Sequence, residues 1–148
     1  MMFKQLSILV VILCAFMIGS ASLYAIDADS VLGVWKVESK KDDATQITIY
    51  KCDAKYCGKI SWLEKAETLD EKNPDESLQS RKLLGMDMIF DFEFDDDQWE
   101  EGKIYDARSG KTYSCKMWYE DETQTILNVK GFVGISLFGK TSVWYRFK

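Results

Sequence analysis

Four cysteines, 24 acidic side chains and no histidine define the chemistry open to this chain. Without histidine it lacks the commonest general base and the commonest metal ligand. Paired carboxylates could still hydrolyse a glycosidic bond, but no stretch of sequence marks a particular pair as buried. The densest acidic cluster, Asp95-Asp96-Asp97 with Glu100 and Glu101, lacks the ligand spacing and central glycine of a calcium loop. It reads as a solvated hairpin turn. Asp106 and Arg108 could make a small polar site with Tyr105, yet an aspartate at that place more simply caps its own turn. These residues point to no catalytic group, no metal and no cofactor.

The cysteines have a clearer use. Cys52-Asp53-Ala54-Lys55-Tyr56-Cys57 reads as two strand ends around a four-residue turn. Residues facing each other in a hairpin have Cα atoms roughly 4.5 to 5.5 Å apart, within disulfide range. Such a bridge would stabilise by about 2 kcal/mol, because the loop it closes is short. Free thiols are one alternative. A zinc site is another, and would need Cys115 and a carboxylate to complete it. Cys115 otherwise reads as a buried thiol packed like a small apolar group.

Disulfide chemistry suits an exported protein, and the N-terminus points the same way. Lys4 precedes the apolar run Leu6 to Ile18, which ends in Gly19-Ser20-Ala21-Ser22 and Leu23-Tyr24-Ala25. A basic start, a short apolar core and a small-residue exit describe a signal peptide over residues 1–25. The alternative is an uncleaved anchor, although a spanning helix needs about 20 apolar residues. Cys14 lies inside the run behind Leu13, the wrong context for lipid attachment. Export to the periplasm, or beyond the cell, is therefore expected, with no stable membrane span after cleavage.

Residues 26–148 are long enough for one domain with one core. Cleavage removes only Lys4 among the charged residues, so the mature domain is more acidic than the net −5 of the whole chain. That balance argues against nucleic acid as a partner and against general affinity for anionic membranes. It names no protein partner.

Most segments beyond the signal alternate with period two, the pattern of half-buried strands. Trp35 and Val37, Ile47 and Ile49, and Ile60 and Trp62 each share a face. Phe90, Phe92 and Phe94 alternate with Asp91, Glu93 and Asp95. Residues 103–105 and 112–117 flank an Asp-to-Gly hairpin connection, and residues 126–132 and 141–147 complete the set. Glu64 to Lys82 breaks the rhythm. There Asn73 caps, Pro74 takes the first helical position and acids fill the first turn, so a short helix is expected. About eight strands joined by hairpins suggest an all-β fold, an antiparallel barrel with one short helix, since closure removes exposed edges. A β-sandwich is the other architecture of this kind.

Gly33-Val34-Trp35 resembles the Gly-x-Trp motif of lipocalins. In that superfamily the tryptophan closes one barrel end against an arginine of the last strand, here Arg146. Gly33, Trp35 and Arg146 are structural on this resemblance. More broadly the chain resembles the bacterial family called domain of unknown function 2147. The matching pieces include Leu32-Gly33-Val34-Trp35, Tyr56-Cys57-Gly58-Lys59-Ile60, Asn73-Pro74-Asp75, Gly102-Lys103-Ile104-Tyr105-Asp106 and Ser136-Leu137-Phe138-Gly139-Lys140-Thr141. Ala107 stands where that pattern has proline, and Cys115 is extra. The resemblance implies a lipocalin-like barrel and export, and supplies no activity.

Aromatic residues then become the functional candidates. Trp62, Phe92, Tyr113 and Trp118 are expected to line an apolar cavity of the kind that holds small molecules. The polar segment with the short helix would lie over its mouth as a lid, with Arg81 facing an anionic head group. The other outcome is a barrel filled by its own side chains. A second candidate is Ile135-Ser136-Leu137-Phe138, set between Gly131, Gly134 and Gly139. If exposed, it would be a patch for a partner protein or a membrane surface.

Overall fold

Short alternating runs separated by tight turns pair most readily with their neighbours in sequence, and that is the topology found here. The structure, a computed structural model, describes residues 25–38 and 44–147. The expected signal peptide falls almost wholly outside the described residues. Eight strands form a closed antiparallel meander: β1 Gly33–Val37, β2 Thr45–Cys52, β3 Lys55–Leu63, β4 Asp87–Asp95, β5 Gln98–Asp106, β6 Lys111–Tyr119, β7 Ile126–Phe132 and β8 Gly139–Arg146. Closure comes from β8 returning to β1, with Trp35 opposite Arg146 and Val37 opposite Trp144. Every strand therefore has two neighbours, and no edge is left to pair with another chain.

The connections alternate between the two ends. At one end, short links join β2 to β3, β4 to β5 and β6 to β7, and a 3-10 turn, Ala28–Val31, lies N-terminal to β1. At the other end lie the links 64–86, 107–110 and 133–138, together with Glu38 after β1 and Ala44 before β2. The first is the closed end of the barrel and the second is its mouth.

Strand alternation holds, with informative exceptions. Phe90, Phe92 and Phe94 do not share a face as expected. Asp91 has φ 60° and Glu101, on the neighbouring strand, has φ 55°. Each adds a residue to its strand and resets the alternation, as a bulge does. Ile89 and Phe92 are consequently buried, whereas Phe90 turns to a shallow outer groove. Gly102 makes room for this, since a Cβ there would sit 2.4 Å from the Phe92 ring. On β3 a register shift opposite Gln46 and Ile47 leaves Trp62 on the outside, 43% exposed.

The first hairpin also differs from expectation in register. Its turn has two residues, Asp53 and Ala54, because Cys52 pairs with Lys55 and Cys57 with Tyr50. Asp53 supplies the positive φ, 55°, that a tight hairpin requires. The two cysteines are thus diagonal neighbours, not facing ones. Their Cα atoms still lie 5.8 Å apart and the disulfide forms, which takes both thiols out of any zinc site. Cys115 is free and buried, and burial pushes its thiol up to about 12.

The expected helix is reduced to one 3-10 turn, Glu76–Leu78. Its cap is Asp75, which accepts from the Ser77 amide at 2.9 Å. Asn73 instead accepts from the Asp75 amide, so the chain turns before a helix can start. The helix-like composition is overridden because residues on both sides of the turn pair with each other. Asp70 N–H donates to Arg81 O, and Leu83 N–H donates to Thr68 O.

Candidate functional site

The closed end is built around Trp35. Gly33, two residues before it, has φ 124°, a conformation that favours glycine. The Trp35 indole donates to Val31 O at 2.8 Å and the Trp99 indole to Ala28 O at 3.1 Å. Two carbonyls of the 3-10 turn thereby gain partners inside the barrel. Arg146 lies over Trp35, its guanidinium carbon 4.2 Å from the ring centroid. The same guanidinium donates to Ser30 O at 2.8 Å, Gln124 O at 3.0 Å and the Tyr119 hydroxyl at 3.2 Å. Cation–π attraction and hydrogen bonds thus act on one group. Tyr56 donates to Asp29 at 2.6 Å, and Lys51 pairs with the same carboxylate. These bonds hold the 3-10 turn across the end as a plug. Trp99 packs edge-on against Tyr56 and Tyr119 above it.

The packed zone ends about halfway along the barrel. Beyond Phe92 and Trp144 the interior opens into a cavity of about 980 Å³ that reaches the mouth. Its apolar wall includes Ile60, Leu63, Met88, Ile104, Val129 and Trp144. Lys65, Lys72 and Lys140 stand among its charged lining residues, with Glu38, Glu64 and Glu71. An apolar interior with charges of both signs around it suits a ligand with a greasy body and a polar end. The volume lies at the upper end of the roughly 300 to 1,000 Å³ typical of small-molecule sites.

Of the five residues expected to line the site, Tyr113 does so. Phe92 is fully buried in the packed zone. Trp118 alternates with inward Met117 and lies outside, with the Lys116 ammonium 5.4 Å from its ring centroid. Trp62 is outside for the reason given above. Arg81 faces the shallow outer groove and is paired with Asp70. Ile60 stands on an expected strand, on the face expected to be shared with Trp62, and Val129 within the expected strand 126–132; the sequence marks neither for a function. Leu69 and Lys72 come from the stretch with no alternation and Leu83 follows directly after it, and their place at the cavity has no local sequence signal.

The segment 64–86 is a rim and not a lid. Its single 3-10 turn takes no part in the cavity lining. Asp70 anchors it. This carboxylate, 0% exposed, accepts from Tyr105 Oη at 2.6 Å, Asn73 Nδ2 at 2.7 Å and Arg81 Nη2 at 2.7 Å. Burial alone would push the Asp70 carboxyl up. The bonds from Tyr105, Arg81 and Asn73 outweigh it and hold the group below its ordinary value. Burial, followed by the bond to Asp70, raises the Tyr105 hydroxyl to about 12. Asp70 is the one fully buried carboxylate among the described residues. Its three donors already occupy it, so the close carboxylate pair of a glycosidase is not assembled there.

The β7–β8 link matches the exposed outcome of the sequence reading. Val133, Ile135, Leu137 and Phe138 are between 62% and 74% exposed. Val133 and Phe138 also border the cavity.

Comparison with known proteins agrees with this geometry. Residues 33–146 match the family model described as an uncharacterized protein conserved in bacteria, domain of unknown function 2147. The chain belongs to this family. Among solved structures, it is similar to a protein described as HP1028 from the human pathogen Helicobacter pylori, which belongs to the lipocalin family. The TM-score is 0.69 at 18% identity, over 79% of this chain and 82% of that one. At that identity the likeness is one of fold: this family member is a lipocalin-like barrel. Among curated proteins none matches.

Proposed function

We propose that this chain is a non-catalytic carrier of a small apolar or amphipathic molecule, working in the cell envelope after export. The observation that carries the reading is the half-filled barrel. A domain whose own side chains pack one half and leave about 980 Å³ in the other has an interior built to take a guest. The apolar wall takes the body of the ligand, and Lys65, Lys72 and Lys140 take its anionic end. The signal-peptide pattern and the disulfide support export, and the periplasm is the compartment proposed. The lipocalin-like fold supports binding over catalysis by analogy.

Native mass spectrometry on exported protein, before and after gentle delipidation, tests this. A discrete extra mass that delipidation removes is expected; one unchanged apo mass in both samples goes against a carried ligand. Filling the cavity gives a second reading. Ile104→Trp should weaken uptake of the apolar dye N-phenyl-1-naphthylamine by about tenfold or more. Unchanged dye affinity would place the dye somewhere other than this interior.

A further inference from the structure

The exposed apolar residues of this barrel are not scattered. Trp62, Leu69 and Leu84 belong to the mouth-end part of β3 and the rim. Val133, Ile135, Leu137 and Phe138 belong to the β7–β8 loop across the same mouth. Only Tyr145 and Phe147, toward the closed end, complete the exposed large apolar residues among those described. Single exposed apolar groups need no explanation, but a cluster around one opening does.

We infer that the β7–β8 loop docks the mouth of the barrel on a phospholipid bilayer. Residues 131–139 carry no charge, and a lysine stands at each end, Lys130 and Lys140. That order fits an interfacial insertion: apolar side chains enter the acyl boundary while flanking ammonium groups stay at the phosphates. Charge elsewhere sets the orientation. The closed-end turns present Asp53, Asp95, Asp96, Asp97, Asp121 and Glu122, while Lys51 and Lys55 beside them are already paired with Asp29 and Glu93, so the net charge there is acidic and lipid phosphates repel that end. The mouth mixes lysines with its acids. An acidic protein without general membrane affinity can therefore still dock by one loop. Because Val133 and Phe138 border the cavity, the inserted loop places the opening against the lipid. Docking stands on the loop alone; exchange of a ligand with the bilayer also rests on the carrier reading above.

The test uses exported protein with Ile135→Cys carrying an environment-sensitive fluorophore; Cys115 is 1% exposed and stays unlabelled. Vesicles of phosphatidylethanolamine and phosphatidylglycerol should shift its emission to the blue, and brominated acyl chains should quench it. Leu137→Asp with Phe138→Asp should cut vesicle partitioning by about a hundredfold. Both side chains are exposed, so folding should survive, and circular dichroism checks that it does. A label that stays in water at saturating lipid overturns the proposal. So does partitioning that the double substitution leaves intact, or a concentration-dependent shift without lipid, which would mean a second copy covers the loop. N-phenyl-1-naphthylamine uptake, measured on the same proteins without vesicles, separates the two readings. Docking without dye uptake supports the loop and sinks the carrier; uptake without docking does the reverse.

Discussion

The two ends of this barrel solve opposite problems with the same strands. At the closed end Trp35, Trp99, Tyr119 and Tyr56 fill the interior, and every indole and guanidinium nitrogen described there reaches a carbonyl or hydroxyl. At the mouth the apolar wall has no filling, and polar anchoring moves outside the wall, to Asp70 and Tyr105. A closed, satisfied end supplies stability and so permits the other end to stay open. The lesson is a division of labour along one barrel axis: packing in one half, space in the other.

The sharpest way to break that division is at the plug. Trp35→Ala removes a fully buried indole and leaves Arg146 without its aromatic partner. It should cost about 3 to 5 kcal/mol in urea unfolding. If dye affinity per folded molecule also falls steeply, the two ends are coupled and the division fails.

A smaller effect is expected at the rim. Asp70→Asn puts an amide where three donors now converge and should cost about 2 to 3 kcal/mol. The pH dependence has a definite sign. Asp70 is depressed in the folded state, so its stabilisation is present above the ordinary value of 3.8 and lost as pH falls through the lower folded value. Thermal melts should therefore drop with acid below about pH 4 in the native protein, and less so in Asp70→Asn. Equal acid slopes in the two proteins would mean that the rim is not anchored through this carboxylate.

The smallest effect belongs to the disulfide. Cys52→Ser with Cys57→Ser should cost about 2 kcal/mol, the value for so short a loop. The bridge lies toward the closed end, so dye uptake should not change. A loss of uptake would show that the hairpin register controls the cavity wall.

Much of the barrel was legible because its determinants are local. Trp35 with Val37, and Ile47 with Ile49, alternate on their own strands, and each turn residue serves its own hairpin. The Gly-x-Trp pattern led to Trp35 and Arg146, whose contact the structure supplies at 4.2 Å. The cavity was less legible. Trp62 and Trp118 have the right chemistry for a lining, but aromatic character does not say which way a side chain faces. One bulge reverses inside and outside for everything that follows in the strand, as Asp91 does for Phe92 relative to Phe90.

By itself the sequence determined an antiparallel meander with a tryptophan near its start, an arginine near its end and a disulfide hairpin. It also determined an uncharged loop between two lysines. Those properties depend on residue type and near-neighbour spacing, which the chain carries wherever it folds. The tertiary structure alone decided where the filling stops, that segment 64–86 becomes a rim through Asp70 and Tyr105, and that the uncharged loop stands beside the opening. Each of these depends on residues far apart in sequence meeting across a closed barrel, and closure is what brings them together.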